Sequence, residues 1–158
     1  MILGNAEITR MQLVQPFNPL AVQPASYDCT LADSWIKNDE LMSADQMIIY
    51  PMEFILASTA ETVKLPLNIS AYVEGKSSIG RIGLSIQNAG FVDPGFCGQI
   101  TLELYNASKR AIFLRSGEFI CQLVFHTVGD CTSGYAGHYQ NQFGATQSVM
   151  EAGGYELS

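Results

Sequence analysis

The chain is 158 residues long, 47% hydrophobic and 15% charged, which excludes a disordered chain and suits a single domain with a sizeable core. Its formal net charge of −7, from 8 Lys+Arg against 15 Asp+Glu, argues against polymeric nucleic acid, whose phosphates require a basic face. No run approaches the roughly 20 apolar residues of a membrane helix, and no charged segment precedes an apolar signal core, so a soluble, cytoplasmic protein is expected. A free nucleotide stays open, because a few cations, backbone amides and its own magnesium ion can hold one triphosphate.

In chain order, Asn5 can cap a short opening helix that runs through Leu13 and ends before Pro16. A second helical candidate covers residues 39–45. Turn signals then recur at short intervals: Gly75, Asp93-Pro94-Gly95, Cys97-Gly98, Asn106-Ala107-Ser108, Ser116-Gly117 and Gly129-Asp130. Between them lie apolar, β-branched or aromatic runs over 69–73, 100–105, 111–114 and 119–125. That rhythm predicts an all-β sandwich or barrel. No linker, repeat or low-complexity tract interrupts it, so 1–158 reads as one domain. Residues 133–144 mix glycine, aromatics and glutamine without alternation, and fit either a frayed terminus or an arm that folds over a ligand.

Three segments could carry chemistry. Gly75-Lys76-Ser77-Ser78-Ile79-Gly80-Arg81 gathers glycines, hydroxyls and two cations, all suited to phosphate, without the spacing of a Walker loop. A polar turn with solvated cations explains it equally well. The stretch from Ala89 through Phe91, Val92 and Asp93 to Pro94-Gly95 holds an aspartate that either forms a turn or accepts from a sugar hydroxyl. In the strand from Ile100 to Tyr105, alternation puts Ile100, Leu102 and Leu104 on one face and Thr101, Glu103 and Tyr105 on the other. Glu103 is then either solvated or, if that face lines a pocket, a carboxylate of raised pKa able to move protons.

Other chemistries lack their residues. Zinc nucleobase deaminases use HxE and PCxxC; here His126 precedes Thr-Val and His138 precedes Tyr-Gln. Cys29, Cys97, Cys121 and Cys131 have no CxxC spacing and read as free thiols packed like small apolar groups.

Taken together, the ordered blocks resemble the dCTP deaminase branch of the trimeric dUTPase-like superfamily. They run from Met1-Ile2-Leu3 through Pro24-Ala25-Ser26-Tyr27-Asp28, similar to the family's PxSYDxxL, and on to the block from Gly75. The block from Ala89 to Asn106 follows, then Gly117 with Gln122-Leu123, and a closing arm with Tyr135, His138, Gln142 and Gly144. The carboxylate at Glu103, in Ile-Thr-Leu-Glu, resembles the deaminases rather than the true dUTPases, as does the absence of a glycine-rich terminal arm.

The resemblance implies a distorted β-barrel or jelly-roll with one or two short helices, assembled as a homotrimer with sites at subunit interfaces. It implies deamination of dCTP to dUTP and ammonia, with magnesium brought by the triphosphate, no zinc, and dTTP as a feedback inhibitor. Glu103 would be the general base and proton shuttle, with Ser77 and Arg81 positioning the water. Lys76 and Ser78 would meet phosphates, Asp93 the sugar 3′-hydroxyl, and the backbone from Phe91 through Val92 to Asp93 the base edge. Ala89, Thr101, Leu102 and Gln122 would line the nucleotide, and Tyr135, His138 and Gln142 would close over it.

Three features depart from the family pattern: Asn88 stands where threonine is common, His138 where lysine is usual, and the chain is short between Leu31 and Tyr50. Ala89-Gly90 resembles the bifunctional members, which go on to cleave the triphosphate and yield dUMP. A plain dUTPase and a catalytically silent nucleotide sensor are the remaining alternatives.

Overall fold

A computed structural model describes residues 1–86 and 90–149. It begins with helix α1 (Asn5–Met11) and strand β1 (Val14–Gln15), followed by a 3-10 turn, Pro19–Ala21. Strands β2 (Tyr27–Thr30), β3 (Ser34–Lys37), β4 (Glu40–Ser43), β5 (Gln46–Ile49), β6 (Phe54–Lys64) and β7 (Ile69–Gly75) come next. A single helical turn, α2 (Ser77–Gly80), precedes β8 (Leu84–Ile86), β9 (Phe91–Val92), β10 (Cys97–Asn106), β11 (Ile112–Arg115) and β12 (Phe119–Thr127). The all-β expectation holds, with two short helices.

Every strand pairing among the described residues is antiparallel. One sheet runs β4-β3-β6-β10-β8 with β1 also on β6, a second runs β2-β12-β7-β9, and β11 pairs with β5. Alternation along β10 follows the sequence: Ile100, Leu102 and Leu104 enter the core, while Thr101, Glu103 and Tyr105 face outward and are partly exposed. Beside them Ile55, Ala57 and Val63 of β6, and Leu123 and Phe125 of β12, fill the interior. Burying such side chains contributes about 1.5–3 kcal/mol each.

Among the described residues, Asp28 Oδ1 and Ser58 Oγ are buried without a hydrogen-bond partner, whereas Glu61 and Asn106 are well matched. The carboxylate of Glu61 on β6 accepts from the Thr30 amide at 3.1 and 3.0 Å and from the Thr30 hydroxyl at 2.8 Å, tying β2 to β6. The side chain of Asn106 donates to the carbonyls of Ile49 and Arg110, each at 2.8 Å, and accepts from the Ser108 amide at 2.9 Å. All four cysteines are free; Cys29 and Cys121 are buried opposite each other on β2 and β12, while Cys97 and Cys131 are partly exposed.

Two helix expectations need correction. The opening helix is capped at Gly4, whose amide donates to Glu7 Oε2 at 3.3 Å, and it stops at Met11 because Gln12 turns left-handed at φ 46°. Residues 39–45 form no helix. Asn38 and Asp39, at φ 50° and 66°, make a two-residue hairpin turn that pairs Lys37 with Glu40 and sends the chain back as β4.

Candidate active site

The outward face of β10 forms one wall of a cavity of about 500 Å³. Thr101 and Glu103 project into it from β10, and Phe91, Val92 and Asp93 line it from β9 and the turn that follows. The β6–β10 register shifts between Gln99 and Thr101, directly before these two side chains; such irregularities bend a strand and re-aim what it carries. Glu103 is half-buried, and that desolvation raises its pKa above the ordinary value of 4.5. A carboxylate so placed holds a proton more readily than one in water, as a group that must accept and return protons requires.

The C-terminal arm forms another wall of the cavity. Tyr135, Tyr139, Gln142, Thr146 and Ser148 line it from this segment. The arm is pinned along β10 by backbone bonds, the Asn141 amide to the Cys97 carbonyl at 2.7 Å and the Gln99 amide to the Gln142 carbonyl at 3.0 Å. Gln142 Nε2 donates to the Gln99 carbonyl at 2.7 Å, and the Gly144 amide donates to Gln99 Oε1. Further upstream the arm crosses the Asp93-Pro94-Gly95 turn, where the Tyr135 amide meets the Pro94 carbonyl at 2.7 Å. Gly95 sits at φ +82°, and a Cβ there would lie 2.7 Å from Gly134 Cα, so this crossing excludes any side chain.

A second polar cluster lies on the other sheet. β7 ends at Gly75, and Lys76 caps the single turn of α2 on which Ser77, Ser78 and Arg81 stand exposed. Lys76 Nζ forms an ion pair with Asp28 on β2, and Gln23 Nε2 donates to the same carboxylate oxygen at 3.1 Å. Between them on β12, Gln122 accepts from the Ser26 hydroxyl at 2.9 Å and is in register with Asp28 on one side and Glu74 on the other.

The anticipated site residues therefore divide. Phe91, Val92, Asp93, Thr101, Glu103, Tyr135 and Gln142 share the cavity, whereas Lys76, Ser77, Ser78, Arg81 and Gln122 do not line it. Leu102, expected beside the nucleotide, points its side chain into the core with no exposed surface, because it occupies an inward position of β10. His138 is exposed and does not line the cavity. Ala89 and Asn88 lie outside the described residues.

Residues 32–128 match the dCTP deaminase-like family. The chain belongs to that family. It is 40% identical over 173 residues to the dUMP-forming dCTP deaminase of Persephonella marina, covering 94% of this chain and 96% of the relative. To the dUMP-forming dCTP deaminase of Hydrogenobaculum sp. it is 48% identical over 153 residues, 87% of this chain and 86% of the relative. Among solved structures, the 2′-deoxycytidine 5′-triphosphate deaminase of Agrobacterium tumefaciens superposes with a TM-score of 0.71 at 20% identity, covering 81% of this chain and 49% of that one. A mutant dUTPase from phage phi11 of S. aureus gives 0.54 at 16% identity over 78% and 94% of the two chains. These superpositions establish the dUTPase-like fold of this family member.

Sequence reading placed Asp28 in a family-like block but assigned no site role to it, nor to Gln99, Tyr139, Thr146 or Ser148. Gln99 was within reach, since it shares the outward period-two face of Thr101 and Glu103. Asp28 carried a signal too, a carboxylate in an otherwise apolar strand start. Thr146 and Ser148 offered none.

Proposed function

We propose that the protein hydrolyses dCTP, removing the cytosine amino group as ammonia and then cleaving the triphosphate to leave dUMP. The observation that carries this reading is Glu103, a half-buried carboxylate of raised pKa on the wall of a cavity, in a chain of the dCTP deaminase-like family. The two relatives named as dUMP-forming favour dUMP over dUTP as the released product.

In this reading Glu103 takes a proton from a water as that water attacks C4 of cytosine, then returns it to the departing amino nitrogen. Proton transfer of this kind contributes about 10²–10⁴ in rate. Asp93 accepts from the sugar 3′-hydroxyl, Thr101 and the backbone from Phe91 to Asp93 hold the base, and Tyr135 and Gln142 cover the nucleotide. Ser77 and Arg81 steady the water and the charge of the tetrahedral intermediate, while Lys76 and Ser78 meet phosphate oxygens.

Those last four residues do not line the cavity that holds Glu103, so in this reading a complete site combines the cavity of one copy with the α2 segment of another. A homotrimer with its sites at the interfaces meets that need. Among the described residues no group of three or more His, Cys, Asp or Glu could hold a metal ion. The donors that suit magnesium here are the triphosphate oxygens, and the ion would offset phosphate charge when bound. Zinc is not assigned, because the HxE and PCxxC ligand patterns are missing from the sequence.

Separating the products of dCTP, and of dUTP, after incubation with magnesium tests the whole reading. Release of ammonia, dUMP and diphosphate from dCTP is the expected result. Accumulated dUTP would limit the activity to deamination, cleavage of dUTP with dCTP untouched would make the protein a dUTPase, and no turnover of either would leave a nucleotide-binding protein.

A further inference from the structure

We infer that Asp28 is a positioning residue that sets Lys76 and, through it, the α2 turn bearing Ser77 and Arg81; this rests on the reading of that segment as part of the site. Asp28 is a carboxylate on β2 with its side chain only 4% exposed, and its partner Lys76 is 24% exposed. The ion pair spans a whole strand: β2 and β7 are not neighbours, and β12 runs between them. Lys76 must therefore reach across β12 to meet Asp28, so its head group is held on one strand while its backbone leaves another.

The backbone of Lys76 is the anchor of α2. Its carbonyl accepts the amides of Ile79 at 3.0 Å and Gly80 at 2.9 Å. The far end of the segment is equally fixed: the Ala107 amide donates to the Gly83 carbonyl at 2.9 Å, and a Cβ on Gly83 would lie 2.6 Å from Ser108 Cβ. Between these two fixed points stand Ser77 and Arg81. Removing the Asp28 carboxylate frees one end and leaves the other, which allows the turn to shift as a unit.

Asp28 also keeps Lys76 from leaving. Oδ2 takes both Lys76 and Gln23, while Oδ1 is buried and has no hydrogen-bond partner among the described residues. A buried carboxylate this sparsely served is costly to strip of its cation. Lys76 consequently stays on Asp28 when phosphate arrives, and offers phosphate its remaining N–H donors from a fixed position rather than swinging across to it.

A double-mutant cycle tests this with Asp28→Asn, Lys76→Met and the double variant, each checked for retained folding by thermal melting. Two quantities are read: kcat/KM for dCTP, and Kd for inorganic tripolyphosphate. Misplacement of this kind costs about 10²-fold in kcat/KM, and the loss from Asp28→Asn should vanish in the Lys76→Met background, in turnover and in tripolyphosphate binding alike. Independent, multiplying losses in the two single variants would make Asp28 merely structural and overturn the inference. So would unchanged kcat/KM and Kd in Asp28→Asn, or tripolyphosphate that fails to bind the wild-type protein. If the wild-type protein binds tripolyphosphate and the cycle is non-additive, yet dCTP is not turned over, the positioning role stands and the deaminase reading falls.

Discussion

Thr101 accepts the backbone amide of Thr146 on its hydroxyl at 3.1 Å, which fastens the C-terminal arm to the strand that carries Glu103. Gln99, on the same face, does more of this fastening. Its Nε2 donates to the Ala60 carbonyl at 2.9 Å and its Oε1 accepts the Gly144 amide, so one side chain joins β6 to the arm.

Gln99→Ala should loosen the arm without unfolding the barrel. A buried polar group left without its partner costs about 1–3 kcal/mol, and part of that is recovered here as water reaches the freed arm. The expected outcome is faster proteolytic cleavage within 135–149, a raised KM for dCTP and a modest fall in Tm. An arm as resistant to protease as that of the wild-type protein would show that Gln99 does not hold it.

Glu103→Gln should lower deamination by about 10²–10⁴ while leaving the fold intact. Its effect on stability has a definite sign. Because burial raises the pKa of Glu103 from 4.5, the folded state binds this proton more tightly than the unfolded state. Stability therefore falls as pH rises from the ordinary glutamate value through the raised one, and the penalty is fully present above both. At neutral pH Glu103→Gln should melt no lower than the wild-type protein, and the difference between them should shift in favour of the wild type as the pH falls through the raised value towards 4.5, levelling off below it. Melting curves across that range check the sign, and the acid limb of kcat/KM against pH should lie above the ordinary glutamate value.

A site shared between copies predicts complementation. Glu103→Gln and Arg81→Ala proteins, each inactive alone, should regain activity when unfolded and refolded together. In a cyclic trimer with random mixing, about a quarter of the sites would then draw both intact residues from different chains. Continued inactivity of well-mixed trimers would mean that Arg81 and Glu103 serve the same chain's site, whereas activity of Arg81→Ala alone would mean that Arg81 is not needed.

Much of this arrangement was legible in the sequence, and what was not has physical causes. The alternation from Ile100 to Tyr105 revealed which face of β10 carries Glu103, because a strand's period is fixed by its backbone. The polar segment after Gly75 was recognised as a unit but not as a helical turn, since so short a turn has no room for a periodic pattern. That Lys76 and Glu103 stand apart on one chain depends on strand order: β7 belongs to the four-stranded sheet and β10 to the six-stranded one. Nothing local encodes that partition.

The missed hairpin at 38–39 is a case of turn chemistry outweighing periodicity. Left-handed conformations at two successive residues suit Asn and Asp and penalise branched side chains. Asn38→Val should destabilise the protein by about 1–2 kcal/mol, whereas Asp39→Gly should be tolerated, as chemical denaturation of the two variants would reveal.

The crossing of Gly95 and Gly134 gives the arm an unusual kind of seat. Most lids are held by side chains that natural variation can lengthen, shorten or recharge. Here the grip comes from atoms left out, and any residue larger than glycine at Gly95 would prop the segment away from the barrel. Adjustment of substrate hold by mutation is thereby displaced outward, to Tyr139, Gln142 and Thr146, while the pivot itself admits almost no variation.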